Sequence, residues 1–284
     1  SSYFISTSFF VISSIFVLPF ILLLLYATYQ CIDTHRMRYQ FLIFLSLGFI
    51  FESEVSFGIF IIPSYFLTIL VTKHVSKFFA KKSRVIYSFI ALILPTLPRI
   101  FFEVRHNFIQ TRTALAFLTK PHMFSSKPFE AVFSERLQLF LMYYKSLFFD
   151  HVFLSLIFLC ITLIGFFYCF KKLRHSHKKY MFFVIMLLLF LFLTSLLYKD
   201  NFWVNYYEGL PYFYLVLISM SLYALSKSRS KIIASIPFVI FILLLVITGQ
   251  KIYKELMNKN KIPDTGLRAH IKIFDYLYTQ NKNQ

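Results

Sequence analysis

Residues 41–71 read FLIFLSLGFIFESEVSFGIFIIPSYFLTILV, an apolar stretch with two glutamates, Glu52 and Glu54, near its middle. Arg38 precedes the stretch and Lys73 follows it. Because Lys and Arg mark the cytoplasmic side of membrane spans, both flanks are expected on the same side. The stretch is too long for one straight span of about 20 residues and too short for two. It therefore predicts a re-entrant pair of half-length helices that meet near the two glutamates.

The composition of the whole chain is that of a membrane protein. Of its 284 residues, 58% are apolar and 15% are charged, whereas soluble domains carry roughly 25% charged residues. The formal net charge is +18, and one acid, Asp33, lies among the basic loops. The positive-inside rule accounts for this distribution, so we expect no nucleic-acid partner. Half of the 30 basic residues lie in four short loops between apolar runs, at 31–40, 72–84, 171–179 and 226–231.

Taking these basic loops as cytoplasmic fixes the direction of every apolar run. We predict an all-α, polytopic transmembrane helix bundle with about six full spans, one re-entrant half-helix pair and an outer-face interfacial helix over 129–149. Pro95 and Pro98 are expected to kink one of the spans. The full spans are expected at about 7–29, 83–102, 152–170, 180–198, 206–225 and 232–249.

The polar tail sets the domain division. Residues 1–249 are predicted to form the transmembrane domain, and residues 250–284 the start of an extracytoplasmic C-terminal segment. The chain begins at Ser1 without an initiator methionine or the pattern of a signal peptide, and ends at Gln284 within an amphipathic pattern. We interpret it as a segment of a longer protein that lacks the N-terminal spans.

Charged side chains within or beside the spans are the first candidates for a functional site. Intramembrane acids are costly unless they are paired or hydrated, so Glu52 and Glu54 predict a cavity. Capping of the second half-helix is the alternative role. On a helix, Arg99, Glu103 and His106 share one face. A cation and an imidazole at the outer surface suit a lipid phosphate, although an interfacial ion pair with aromatic anchors explains the same cluster.

The predicted outer loop around 200–208 combines aromatic rings with acids and amides. Rings can stack on sugar C–H groups while the polar side chains bind hydroxyls, which favours sugar or acceptor binding. An aromatic belt at the membrane interface is the alternative. His175 and His177 have metal-like spacing but lie among cations, so no metal site is expected. The candidate sugar-binding residues are Asn201, Trp203, Tyr206, Tyr207 and Glu208.

Two motifs carry a resemblance to a known family. Residues 47–52 (LGFIFE) lead into the acidic tip, and residues 97–108 (LPRIFFEVRHNF) end a proline-containing span. Together with the architecture, they resemble bacterial polytopic glycosyltransferases of the GT-C class, in the dolichyl-phosphate-mannose mannosyltransferase and aminoarabinose transferase-like group. The resemblance implies a multi-pass enzyme of the plasma (bacterial inner) membrane. Such an enzyme transfers a hexose or pentose from a polyprenyl-phosphate lipid to a cell-envelope acceptor on the outer face.

The resemblance also implies roles for individual residues. The catalytic acids of the family lie in the first outer loop, expected upstream of Ser1, so we expect this segment alone to be inactive. No cofactor is expected with certainty, and a divalent cation in the full-length protein stays open. The implied donor-phosphate ligands are Arg99, Arg105 and His106, and the implied cavity acids are Glu52, Glu54 and Glu103.

Other classes of protein fit parts of the same pattern. Broken helices at mid-membrane depth also build the substrate sites of transporters and lipid flippases. Transporters usually show repeated halves, and no internal repeat is visible in this chain. A non-catalytic subunit for assembly or polymer export is a third alternative.

Overall fold

The structure is a computed structural model, and every regular element in its described residues is a helix. Short 3-10 helices lie at Leu94–Thr96 and Val204–Tyr207. The structure describes residues 17–73, 78–79, 81–119, 127–148, 151–198, 202, 204–207 and 209–257. In chain order the α-helices of these residues are α1 (Val17–Thr34), α2 (Met37–Ser53), α3 (Val55–Val71), α4 (Lys82–Ile93), α5 (Leu97–Arg105), α6 (Ile109–Thr119), α7 (Phe129–Ser146), α8 (Val152–Lys172), α9 (His175–Leu196), α10 (Leu210–Ser226) and α11 (Lys231–Met257).

Four helical segments in the described part of the chain are long and apolar enough to cross a membrane. They overlap four of the predicted spans, although residues 7–16 of the first predicted span lie outside the described residues, and shorter apolar helical segments, in α8 and α10, lie at the two other positions. By length and composition, the chain is therefore a membrane-embedded, all-helical protein. The four segments are Val17–Thr34, Lys82–Arg105, His175–Leu196 and Lys231–Gln250.

The segment Lys82–Arg105 is interrupted where the sequence carries its two prolines. Pro95 lies in the 3-10 turn Leu94–Thr96, and Pro98 lies in the first turn of α5. Proline lacks a backbone N–H and its ring displaces the preceding turn, so a regular α-helix cannot continue through both positions. The regular α-helix is interrupted at the prolines, and the bend that the sequence predicts there stays a prediction.

The apolar stretch that carries the two glutamates folds as an antiparallel helical hairpin. The helices α2 and α3 are separated by Glu54 alone, whose backbone is extended (φ −144°, ψ 88°). Phe51 packs on Gly58, where a Cβ would lie 2.5 Å from the Phe51 Cα atom. Further from the tip, the ring centroids of Phe44 and Phe66 are 5.7 Å apart. These contacts pair residues symmetrically about Glu54, so the chain reverses direction there.

Each helix of the hairpin is longer than a half-length helix. Both contain 17 residues, which corresponds to about 25 Å at a rise of about 1.5 Å per residue. A bilayer core is about 30 Å thick, so each helix is closer to a full span than to half of one. The break lies where the sequence predicted it, and the two helices are longer than the half-length helices that were expected.

The basic loops of the described chain meet at one end of the bundle, which we call the basic end. We call the opposite end the tip end. Because the hairpin is antiparallel, its two basic flanks both belong to the basic end, as the charge pattern predicted. The contacts that join the loops are Arg84 Nη2 to the His35 carbonyl (3.3 Å), Gln40 Nε2 to the Phe78 carbonyl (2.7 Å), the Tyr29 hydroxyl to His177 Nε2 (3.3 Å) and the Tyr168 hydroxyl to Ser228 Oγ (3.0 Å).

Contacts with neighbouring helices place the hairpin tip at the tip end. Phe49 of α2 stacks on Phe20 of α1, with ring centroids 4.4 Å apart. A Cβ on Gly209, just before α10, would lie 2.5 Å from the Phe57 ring and 2.6 Å from Ile21. The start of α3 is therefore level with the turn that precedes α10. The depth of the two glutamates in the membrane stays a prediction.

The remaining helices flank this core. The helix α7 covers most of the predicted interfacial segment, and its exposed side carries an apolar stripe of Phe129, Phe133, Leu137 and Leu141. The helix α11 packs on α10 and is largely exposed. It continues through Met257, past the predicted domain boundary at residue 249. Residues 258–284 lie outside the described residues.

Candidate functional site

An ion pair joins the hairpin tip to the kinked span. Arg99 Nε lies 3.1 Å from Glu52 Oε2 and donates a hydrogen bond to Oε1 at 3.3 Å. Both side chains are about one-third exposed, at 30% and 29%. The Arg99 guanidinium also lies 5.7 Å from the centroid of the Phe51 ring. Among the sequence-predicted residues, the structure brings together the acid of one quoted motif and the arginine of the other.

Close packing of α2 against α4 determines which turns face each other where this ion pair forms. The helices α2 and α4 run side by side in the same direction, and Gln40 Nε2 donates to Ser88 Oγ at 2.7 Å near the basic end. Higher up, Gly48 packs directly against the Leu92 carbonyl, and a Cβ there would also lie 3.0 Å from the Pro95 side chain. With these contacts fixed, the last turn of α2 faces the first turn of α5.

Glu54 occupies the junction between the hairpin helices. Glu54 is buried, with 9% of its surface exposed. It stands at the N-cap position of α3, but its carboxylate makes no capping hydrogen bond. The backbone of Glu54 instead serves both helices, since its N–H donates to the Ile50 carbonyl and its carbonyl accepts from the Gly58 N–H, each at 2.9 Å. The capping role that the sequence left open is therefore not performed by this side chain.

Glu103 supports a turn between two helices. Its carboxylate accepts hydrogen bonds from the Gln110 N–H (3.0 Å), the Thr111 N–H (2.9 Å) and the Thr111 hydroxyl (2.6 Å). These donors belong to the first turn of α6, whose N–H groups lack intrahelical partners. The turn is strained, because Asn107 and Phe108 have φ values of 53° and 58°. Glu103 holds that turn, and its role as a cavity acid stays a prediction.

The predicted phosphate cluster is only partly assembled. The helix α5 ends at Arg105, and His106 follows it with non-helical backbone angles. The His106 ring stacks on Phe102 at a centroid distance of 4.1 Å, and its Nδ1 atom lies 2.8 Å from the Phe102 carbonyl. Arg105 is exposed, whereas Arg99 is engaged by Glu52. The face expected for Arg99, Glu103 and His106 breaks because the helix stops before His106.

An aromatic cluster lies beside the start of α3 at the same end. Phe60 contacts Phe202 and Tyr206, with ring centroids 5.5 Å and 6.1 Å apart. Tyr207 is fully buried and its hydroxyl donates to Ser195 Oγ. Of the predicted sugar-binding residues, Tyr206 is partly exposed and Tyr207 is a packing residue. The others, Asn201, Trp203 and Glu208, lie outside the described residues.

The sequence reasoning missed a buried arginine next to this cluster. Arg136 of α7 is fully buried; its Nη2 donates to the Tyr198 carbonyl at 2.8 Å, and its guanidinium lies 3.8 Å from the Phe202 ring centroid. Its Nη1 lies 3.2 Å from Glu135, which also pairs with Lys127 at 3.2 Å. Burial lowers the pKa of Arg136, and the neighbouring Glu135 carboxylate opposes that effect. The sequence indicates this residue only as a single cation that lies, at helical spacing, among the apolar residues of one face of α7.

The described residues contain no group of three or more His, Cys, Asp or Glu side chains that could hold a metal ion. His177 instead contacts Tyr29, with ring centroids 5.5 Å apart. Cys31 is buried and Cys160 is exposed, both as free thiols. The tip end therefore offers an ion pair, a buried acid and a set of aromatic rings, and the basic end offers cations. Comparison with protein-family models, with curated proteins and with solved structures finds no match for the chain.

Proposed function

We propose that the protein is an integral membrane glycosyltransferase that moves a sugar from a polyprenyl-phosphate lipid to an acceptor hydroxyl at the tip end. One observation carries the proposal. The two motifs that resemble the GT-C class, residues 47–52 and 97–108, are distant in the chain and meet through the Glu52–Arg99 ion pair. The pair lies at the end of the bundle opposite the basic loops, where the family acts.

The proposal includes a topology of six full spans and the hairpin. With its basic flanks on the cytoplasmic side, the hairpin projects about 25 Å into the membrane. Glu52 and Glu54 then lie just beneath the outer surface, at the height of Gly209 and the aromatic cluster. Acids at that depth can be hydrated, which reduces the cost of burying their charge.

The proposed reaction is a single displacement. The bond between the sugar C1 and the phosphate oxygen breaks, a bond from C1 to the acceptor oxygen forms, and the acceptor proton passes to a carboxylate base. The leaving polyprenyl phosphate gains negative charge, which cations stabilise. Arg99 and the exposed Arg105 are the proposed phosphate ligands, and Glu52 positions Arg99. We do not propose Glu52 or Glu103 as the base, because each is already engaged by hydrogen-bond donors.

The test is transfer by the full-length protein in proteoliposomes supplied with a radiolabelled polyprenyl-phosphate hexose. Release of polyprenyl phosphate and labelling of the acceptor are both measured. Loss of a charge-assisted bond to phosphate costs about 1.5–3 kcal/mol, so R99Q should lower the rate by about 10- to 150-fold. The matched control is E130Q, an exposed residue of α7, which should retain the wild-type rate. Equal rates for R99Q and the wild type would exclude Arg99 from the site.

A lipid flippase is the second candidate, and the hairpin is the observation that favours it. A helical break with an adjacent buried acid is the kind of element on which transporter sites are built. The same proteoliposomes separate the two functions. A flippase moves the intact lipid-linked sugar between leaflets without releasing polyprenyl phosphate, whereas a transferase releases it.

A further inference from the structure

Two basic loops that are distant in the sequence lie side by side at the basic end. Leu173, just before α9, and Ala224, near the end of α10, belong to one small buried cluster with Met181. The Tyr168 hydroxyl donates to Ser228 Oγ at 3.0 Å, which ties the end of α8 to the loop after α10. The packing of α8, α9 and α10 therefore gathers cations from both loops into one region.

These cations form no ion pair with a carboxylate in the described residues, although Asp33 and Arg174 both act electrostatically on Tyr29 and His177. Asp33, at the exposed end of α1, is close enough to act electrostatically on Tyr29 and His177 but forms no ion pair within the described residues. At the tip end, by contrast, Glu52 pairs with Arg99. Within the described part of the chain, the basic side chains that pair with no carboxylate here are Arg174, Lys178, Lys179, Lys227, Arg229 and Lys231.

Ring side chains lie between the two loops, and we call Tyr29, His177 and Tyr223 together the floor of this region. The His177 ring lies between Tyr29 and Tyr223, with centroid distances of 5.5 Å and 5.7 Å. Lys227 Nζ lies 5.3 Å from the centroid of the Tyr223 ring. His177 Nε2 contacts the Tyr29 hydroxyl at 3.3 Å, while its Nδ1 atom is buried without a hydrogen-bond partner among the described residues. The floor thus combines rings, a hydroxyl and an imidazole beside cations that form no ion pair in the described residues.

We propose that this region binds the headgroup of an acidic phospholipid, with the phosphate between Arg174 and Lys227 and with Lys227 held in place over the ring of Tyr223. Arg offers a fork of donors that matches phosphate oxygens, and basic pockets between helices on the cytoplasmic side suit acidic headgroups. A lipid fits better than a free phosphate, because exposed apolar side chains continue from the cations along α9 at Phe182 and Leu189. These side chains can contact an acyl chain.

The inference is independent of the proposed enzyme activity, since it concerns the opposite end of the bundle. It is tested by native mass spectrometry of the full chain in detergent. The chain is titrated with phosphatidylglycerol and with phosphatidylcholine of the same acyl chains. Wild type should retain phosphatidylglycerol preferentially. Each cation near the surface contributes about 1 kcal/mol to such binding, so R174Q/K227Q should weaken retention by about tenfold or more.

The controls separate a site from a diffuse positive field. K81Q/K82Q removes the same charge from exposed residues at the basic end and should leave retention within about twofold of wild type. R174K/K227R keeps the charge and should retain the lipid. Y223L removes part of the floor without a change of charge and should weaken retention; it also carries the test if R174Q/K227Q does not fold.

Three outcomes would overturn the proposal. Equal losses for R174Q/K227Q and K81Q/K82Q would show that only the overall field attracts lipid. Wild-type retention of phosphatidylglycerol by Y223L would show that the Tyr223 ring does not contribute to the site. Displacement of the lipid by millimolar inorganic phosphate, with phosphate retained in its place, would identify a free-phosphate site.

Discussion

At the scale of single residues, the sequence identifies the charged side chains but does not predict which groups they contact. Glu52 and Arg99 were both singled out, but their pairing depends on how Gly48 packs against α4. The hydrogen-bond partners of Glu103 are not predictable either, because a sequence does not show that the helix stops at Arg105 and that the chain turns back onto this carboxylate. Residue type and helical spacing predict a candidate, and only tertiary packing decides what it touches.

Arg136 allows this distinction to be tested. R136A should lower stability by about 3 kcal/mol, near the lower end for breaking a buried pair, because Lys127 still pairs with Glu135. R136M fills a similar volume and leaves no buried charge, so it should cost less than R136A. Thermal unfolding in detergent measures both, with R112A on the exposed side of α6 as the control. Equal losses for R136A and R136M would contradict this expectation, because they would mean that loss of the cation sets the whole cost and that the lost volume adds nothing.

At the scale of elements, periodicity and charge predicted where helices and breaks occur and did not predict how far the hairpin helices extend. The break at Glu54 was expected. The extra length of α2 arises at its start, where Gln40 was read as part of a polar flank. In the structure Gln40 is buried and donates to the Phe78 carbonyl and to Ser88, so the helix continues through it. A polar residue that finds partners in another element cannot be identified from its own segment.

The close packing of α2 on α4 gives the prediction at this scale. A side chain at Gly48 would collide with the Leu92 carbonyl, which is backbone and cannot rotate away. G48A should therefore destabilise the protein by about 1–3 kcal/mol, as overpacking does. The matched control is G249A, because a Cβ there meets nothing within 4 Å. In that helix position alanine should be neutral or stabilise by up to about 1 kcal/mol. Similar thermal unfolding of G48A and wild type would contradict the close approach.

At the scale of the whole molecule, the two ends differ in how their charges are balanced. Ion pairs such as Glu52–Arg99 and Arg136–Glu135 neutralise cations at the tip end and in α7. At the basic end, Arg174 and its neighbours pair with no carboxylate in the described residues. Unpaired cations are tolerated where water and acidic lipid headgroups can solvate them. The orientation deduced from the loops, with the basic end in the cytoplasm, stays a prediction.

The hairpin makes this orientation testable, because it fixes the positions of its two flanks and its tip relative to one another. In a background with the three cysteines replaced by serine, R38C and K73C should both react with a membrane-impermeant maleimide from the basic side. S53C, one residue from the break and partly exposed, should react from the opposite side. The reason is length: two helices of about 25 Å carry the tip most of the way across a core of about 30 Å. Labelling of R38C and K73C from opposite sides would contradict the hairpin orientation. Labelling of S53C from the basic side, or from neither side, would return the tip to mid-membrane depth.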